Sequence, residues 1–495
     1  MAQVFILYFY AGFAIGIATI AVMTCVYFYS HRKSDMQKKA PLPPGQFGFP
    51  FLGESLELQS ALQANKPHQF FNTRVAKYGE IFKTHLLFSP TVFVNGPEWN
   101  KFLFSNENKL ISTTWPMSIG KLLGPKSVAN KIGEEHKWLR STFHASFFGP
   151  SGLRNFVPRM DKIARSHFEQ TWESKGEIMA VKVIKQFAFS LVADLYLSIT
   201  EGPEFESMAH DVEAFVGGIM KLPLDFPGTA YHKAMLARKS LLRTFDMIIA
   251  RRQKDIEEGK VSVHHDLLSI LMKTLDHEGH VITNETIKDN ILTYWIASHD
   301  TVSTTISLTL KYLFLNPHCL HEVVKEQKEI SKAKGGTTLN WEDTRNMKYT
   351  WWVIQETLRV QPTIGGAFRV TLKDFEYKGF TIPKGWKVLW SVSPSQRSPE
   401  IFPHPTKFDP QRFEGGPPPP FTFMPFGGGH RTCPGQEYAR TVMMVFLHHL
   451  VLNYEWSMVN PDEKIVIDPM PIFQKGLQLK VQKKIGEKGT NNLVT

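Results

Sequence analysis

The chain has 495 residues, 42% of them hydrophobic and 12% aromatic, and its 57 Lys and Arg against 46 Asp and Glu give a net charge of +11. Such a chain buries enough apolar surface to offset its ordering entropy, which excludes disorder, and at about 150 residues per domain it holds about three domains or one large body with an appendage. Three cysteines (Cys25, Cys319 and Cys433) exclude a disulfide framework and a zinc C-x-x-C pair, and scattered basic residues without a helix-turn-helix or RNA-binding signature argue against nucleic acid as partner.

From Val4 to Tyr29 no residue is charged. As a helix this run is roughly 39 Å long at about 1.5 Å per residue, against about 30 Å of hydrocarbon. A cleaved signal peptide is the competing reading, but the apolar run continues past Gly16 and Ala18 and no basic region precedes it. His31-Arg32-Lys33 and Lys38-Lys39 follow, so the positive-inside rule places the rest of the chain in the cytosol. The division expected is a transmembrane anchor at 1–30, a basic, proline-rich linker at 31–50 and a catalytic body at 51–495. Pro41-Leu42-Pro43-Pro44-Gly45 reads as a stiff connector holding the body off the membrane.

Three- and four-residue apolar spacing predicts helices over 67–78, 134–148, 155–173, 182–200, 233–258 and 265–275. The longest predicted helix runs from Asn284, as N-cap, to Asn316, stopped by Pro317. Strand-like alternation is confined to short pieces near 80–95 and 374–391, so the fold class is mainly α with a small β region. Gly415-Gly416 and Pro417 to Pro420 read as a rigid surface spacer. The pairs His264-His265 and His448-His449 lack metal-ligand spacing with a third donor and read as packed or solvated imidazoles.

Residues 423–440 form a glycine-rich loop around Cys433 that opens onto a helical pattern. Consecutive glycines permit close approach of backbone to a flat ligand, while backbone N–H groups and the helix N-terminus favour a thiolate. A soft anionic sulfur so placed suits iron, and cysteine thiolate is a known haem axial ligand.

Phe426-x-x-Gly429-x-Arg431-x-Cys433-x-Gly435 resembles the haem-binding signature of the cytochrome P-450 monooxygenases, five fixed positions that chance would supply in roughly one such chain in ten thousand. Almost the whole chain follows that family's order of elements. Glu356-Thr357-Leu358-Arg359 resembles its E-x-x-R, whose residues share a helix face, and Arg412 resembles the third member of the triad that braces the cysteine loop. The resemblance implies haem b ligated by Cys433, with its propionates held by Arg431, Arg140 and Arg369. Its W-x-x-x-R stands here as His136 to Arg140, so His136 takes the place of a tryptophan and donates to a carboxylate.

Ala297-Ser298-His299-Asp300-Thr301 resembles the family's A/G-G-x-D/E-T, which implies that Asp300 and Thr301 deliver protons as dioxygen is activated. Ser298 replaces the usual Gly and is expected to narrow the groove and hold a water; Val302 replaces a second hydroxyl residue, and His299 is expected to pack or face solvent. No dinucleotide or flavin module is visible. The resemblance therefore implies electrons from NADPH through a separate flavoprotein reductase, with O2 as co-substrate and attachment to the endoplasmic reticulum membrane, catalytic body in the cytosol. By family position the pocket is lined by residues 115–123, Trp295, Ile296 and Pro362 to Gly366, apolar or small groups suited to a large, water-insoluble ring system. Residues 379–386, 423–440 and 466–471 look most like the plant branch that oxidises pentacyclic triterpenes such as β-amyrin; taxane-type diterpene or sterol hydroxylation, or an isomerase or dehydratase not using O2, are the alternatives.

Overall fold

The computed structural model describes residues 40–49, 52–172, 176–262, 265–276 and 278–484. The expected transmembrane helix lies outside them, and among the described residues no helix is long and apolar enough to cross a membrane. Ten helices frame the site: α1 (Pro97–Ser105), α2 (Gly133–Phe143), α3 (Pro150–Thr171), α4 (Ala180–Leu197), α5 (Pro203–Gly218), α6 (Ala230–Glu257), α7 (Asn284–Leu315), α8 (Pro317–Lys334), α9 (Lys348–Val360) and α10 (Gln436–Asn453). The main sheet holds β1 (Ile81–Leu86), β2 (Ser89–Val94), β3 (Ile111–Thr113), β4 (Gly366–Thr371) and β5 (Lys387–Ser391), in the order β1-β2-β5-β4-β3. β2 and β5 run parallel, with Val92 opposite Val388; the other neighbours are antiparallel, and Arg369 on β4 faces Thr113 on β3. The fold is mainly α with a small β region, as expected.

Local chemistry explains where the predicted boundaries shift. The run 134–148 divides into α2 and a five-residue π-helical turn, His144–Phe148, closed by a Gly149 N–H to His144 carbonyl bond of 2.7 Å. Pro150 then opens α3 five residues before the predicted start, because a first-turn proline lacks only an N–H that would have no helical partner. The run 265–275 is helical only over Leu267–Leu271, N-capped by Asp266, and Leu275 pairs instead with Val281 in a β-bridge. Thr283, rather than Asn284, caps α7: its hydroxyl accepts the Thr286 N–H. The expected linker shows a described end at Ala40 to Phe49, where the Pro41 carbonyl accepts the Thr381 N–H and that of Pro44 the Lys83 N–H, so this part lies against β1 and the short strand Phe380–Ile382.

The core sits where α3, α4, α7 and α10 meet. α7, about 48 Å long at about 1.5 Å per residue, passes through it. Three buried hydroxyls are tolerated there because they return hydrogen bonds to their own helix: Ser303 donates to the His299 carbonyl (2.6 Å), Ser307 to that of Ser303 (2.7 Å) and Thr309 to that of Thr305 (2.8 Å). His448 and His449 on α10 are core imidazoles, held by Gln327 and by Asp161, each at 2.7 Å. A second core under the sheet contains Trp99, Leu103, Phe104 and Trp390.

Candidate active site

Glu356 and Arg359, one helical turn apart on α9, are both fully buried and paired at 2.7 and 2.8 Å through Nε and Nη2. Arg359 also donates to the carbonyls of Gln396 (3.0 Å), Pro405 (2.8 Å) and Lys407 (3.2 Å). Glu356 accepts from Arg412 Nε (3.1 Å) and the Asp409 N–H (2.9 Å). A buried ion pair is retained without penalty when its remaining donors and acceptors are satisfied in this way. The three residues fasten α9 to the segment 396–412.

That segment leads into the cysteine loop. The Cys433 N–H donates to the Phe426 carbonyl (2.8 Å), closing the loop, and the Phe426 ring stacks on Trp351 of α9 with centroids 6.5 Å apart. Phe104 at the end of α1 lies against the loop so closely that a Cβ on Gly428 would fall 2.8 Å from its ring. The close approach that these glycines permit is therefore partly to α1. Gly427, with φ +75°, has its open side free of neighbours out to 3.9 Å. Cys433 stands just before α10. Burial pushes its thiol up, against the opposing pull of the Gly435 N–H and Arg140. The helix terminus acts in the predicted direction but does not by itself make a thiolate; a bound metal ion would, since coordination deprotonates a thiol outright.

Beside the loop three guanidiniums converge without enough negative charge. Arg140 comes from α2, Arg369 from β4 and Arg431 from the loop. Desolvation lowers the pKa of all three. For Arg431 it is lowered to about 10, with Glu107 opposing and repulsion from Arg369 and Arg140 adding to the fall. His136, buried on α2, is lowered to about 4 by burial and by Arg431 and Arg140, so at neutral pH it meets a ligand as a neutral imidazole. The Nε atoms of Arg369 and Arg431 are buried without a hydrogen-bond partner. Such a cluster fits a flat dianion whose two carboxylates it would neutralise, and the residues that the sequence pointed to therefore fit a haem.

Sequence reasoning missed Glu107. It follows α1 in the polar run Asn106-Glu107-Asn108-Lys109, which reads as a solvated turn, yet its side chain is fully buried and lies 3.5 Å from Arg369 Nε and 4.0 Å from Arg431 Nε. The turn from Asn106 to Ile111, together with the pairing of β3 with β4, turns it inward.

On α7 the expected acid and alcohol diverge. Asp300 is 3% exposed and points to α4, where Lys185 Nζ sits 2.6 Å from Oδ1. Burial would raise its pKa, but His299, with Nδ1 at 3.5 Å, and Lys185 outweigh that and bring it down to about 2. Thr301 is partly exposed, and its hydroxyl donates to the Ala297 carbonyl at 2.6 Å. Ser298 does not line the groove: it is buried, with Oγ 2.8 Å from the Tyr196 hydroxyl on α4. Val302 is core and His299 is packed. Trp295, expected to line a pocket, is fully buried between Phe189 and Phe245, whereas Trp115 and Ile364 are 43% exposed each. Thr363 is held to α7 by a 2.8 Å hydroxyl contact with Thr305.

Comparison with known proteins agrees with this geometry. The family model described as cytochrome P450 matches residues 43–483. The chain is 42% identical over 470 residues to a beta-amyrin 28-monooxygenase of Kalopanax septemlobus, covering 94% of this chain and 97% of that one. It is 38% identical over 454 residues to a taxane 10-beta-hydroxylase of Taxus cuspidata, covering 91% and 90%. Among solved structures, the retinoic acid-bound cyanobacterial CYP120A1 superposes with a TM-score of 0.80 at 32% identity, covering 90% of this chain and all of that one.

Proposed function

Because the chain belongs to the cytochrome P450 family, we propose that it is a membrane-anchored haem-thiolate monooxygenase that inserts oxygen from O2 into a C–H bond of a hydrophobic terpenoid, a pentacyclic triterpene of the β-amyrin type. The observation that carries the cofactor assignment is the under-neutralised arginine cluster beside Cys433. The relatives carry the substrate class: the beta-amyrin 28-monooxygenases of Kalopanax septemlobus and Vitis vinifera are 42% and 39% identical. The uncharged run from Val4 to Tyr29 supports a single-pass anchor in the endoplasmic reticulum membrane, which would also bring a bilayer-dissolved substrate to the protein. Electrons come from NADPH through a separate reductase.

A bound haem supplies the reductive activation of dioxygen and the transfer of one oxygen atom. The chain's own residues do the rest. Cys433 would hold the iron, with the Gly435 N–H moderating the charge on its sulfur. Arg140, Arg369 and Arg431 hold the carboxylates, and neutral His136 adds a donor. Lys185, 41% exposed at its side chain, links Asp300 Oδ1 to solvent on the α4 side. Asp300, ionised at rest, relays a proton taken from the Lys185 ammonium, which solvent reprotonates, and Thr301 donates on the groove side when it exchanges its bond to the Ala297 carbonyl. The brace of Glu356, Arg359 and Arg412 holds the loop but touches no reacting atom.

The test is mass spectrometry of products from membranes containing the protein, a plant reductase and NADPH, offered triterpenes, sterols and taxane-type diterpenes. A gain of oxygen by a pentacyclic triterpene is expected. Gain by the diterpene alone overturns the substrate class, and turnover without the reductase overturns the reaction class.

A further inference from the structure

A buried carboxylate with no close hydrogen bond, set between two arginines assigned to a ligand, needs a reason. Glu107 Oε1 and Oε2 and the Nε atoms of Arg369 and Arg431 are all buried without a hydrogen-bond partner, at separations of 3.5 and 4.0 Å. These contacts are too long for tight ion pairs, so Coulomb attraction acts between them without the directional bonds that would bind the guanidiniums fully to the protein. The backbone holds Glu107 in this position. Asn108 has φ +63°, its N–H donates to the Ile111 carbonyl at 2.7 Å, and the Asn106 carbonyl accepts from Lys109 and Leu110, each at 3.1 Å. Ile111 then pairs with Thr371 and Thr113 with Arg369, which locks this turn to the strand that carries the arginine.

The contacts are also one-sided. Glu107 faces Nε of both arginines, while Nη1 of Arg369 donates to the Phe368 carbonyl (3.1 Å) and Nη2 of Arg431 to that of Lys131. Among the described residues Nη2 of Arg369 and Nη1 of Arg431 have no bonding partner and can turn to a ligand. Three guanidiniums and a ligand with two carboxylates leave one positive charge over, and Glu107 supplies the missing negative charge from within the protein. The brace at Glu356 contrasts with it: there every carboxylate oxygen is hydrogen-bonded, which is how a purely structural buried acid is accommodated.

We propose that Glu107 is a positioning residue of the cofactor site, the fixed counter-charge that orients Arg369 and Arg431 by their Nε edges and sets the electrostatic potential at the haem. This rests on the haem-thiolate reading above, which the parent protein's reduced carbonyl spectrum tests separately. In a site of effective dielectric about 20, removing one buried charge favours the reduced iron, because reduction adds negative charge.

The experiment measures the ferric/ferrous midpoint potential and the rate of haem transfer to apomyoglobin for parent, Glu107→Gln and Glu107→Asp. Glu107→Gln is expected to shift the equilibrium toward the ferrous form about tenfold, about 59 mV for a one-electron couple. Glu107→Asp keeps the charge one carbon further back; it should stay within about twofold of the parent potential while releasing haem about three times faster as the arginines lose their register. A Glu107→Gln potential within twofold of the parent overturns the proposal, as does an equal shift in both variants, which would mean that shape rather than charge is at work. If Glu107→Gln does not fold, the aspartate variant decides: parent-like potential with faster haem release supports the proposal, and an unchanged release rate overturns it. A parent without the thiolate-type carbonyl spectrum would instead sink the haem reading itself.

Discussion

Two clusters of arginine and glutamate lie within the same body and differ in one respect. Around Glu356 each charge meets a partner at hydrogen-bond distance: Arg359 and Arg412 spread over backbone carbonyls of residues 396–407, and both carboxylate oxygens are used. Around Glu107 the nearest charged atoms stand 3.5 and 4.0 Å off, three guanidiniums repel one another, and their pKa values fall. The first arrangement is complete in the protein alone; the second is complete only with a dianion. The charges that fasten α9 to the segment 396–412 are saturated, and those beside the cysteine loop are not.

Cys433, beside the second cluster, offers the strongest way to break this contrast. Cys433→Ser should leave the brace intact and abolish the thiolate-type reduced carbonyl spectrum, with turnover reduced more than about 10³-fold. A serine variant retaining that spectrum would remove Cys433 as the ligand.

Next in size is Glu356→Ala. Removing one partner of a saturated buried pair leaves Arg359 uncompensated and should destabilise the protein by about 3–5 kcal/mol, read as a lowered melting midpoint of both apo and haem-loaded protein. A loss confined to haem binding would show that the brace belongs with the ligand cluster.

The Asp300–Lys185 pair is an intermediate case, ion-paired at 2.6 Å but with Lys185 open to solvent. Asp300→Asn should lower coupled turnover about 10²-fold and divert reducing equivalents to peroxide. With its pKa brought down to about 2 from the ordinary aspartate value of 3.8, Asp300 is ionised at every working pH, so this loss should be the same from about pH 6 to 8. The same depression contributes about 2 kcal/mol of stability, present above pH 3.8 and lost only as pH falls toward 2. A pH-dependent ratio between parent and variant would place the titrating group elsewhere.

The smallest effect is expected at Arg369→Ala. One of three guanidiniums is lost while Glu107 remains, so haem should be released about tenfold faster with little change in the apoprotein melting midpoint. A large drop in that midpoint would make Arg369 part of the frame.

Much of this was legible in the sequence because it is local. Helical periodicity located α2, α3, α4, α6 and α7 but not α1, α5 or α8, and fixed spacing marked Cys433 with its flanking Phe426, Gly429, Arg431 and Gly435, and Glu356 with Arg359, since residues three apart on a helix meet whatever surrounds them. Alternation found the strands near 80–95 and 374–391 but not β3 or β4, which are three and six residues long and carry no clear period. Tertiary structure alone decided the direction of each functional side chain. Ser298 turned to Tyr196, Trp295 went into the aromatic core, Asp300 faced Lys185, and Glu107, in a polar turn that reads as exposed, was drawn inside by the pairing of β3 with β4. Sequence determines which groups lie near one another along an element; whether a charge ends in water, against a partner or open to a ligand depends on what the other elements bring to it, and for Glu107 those are residues more than 250 positions away.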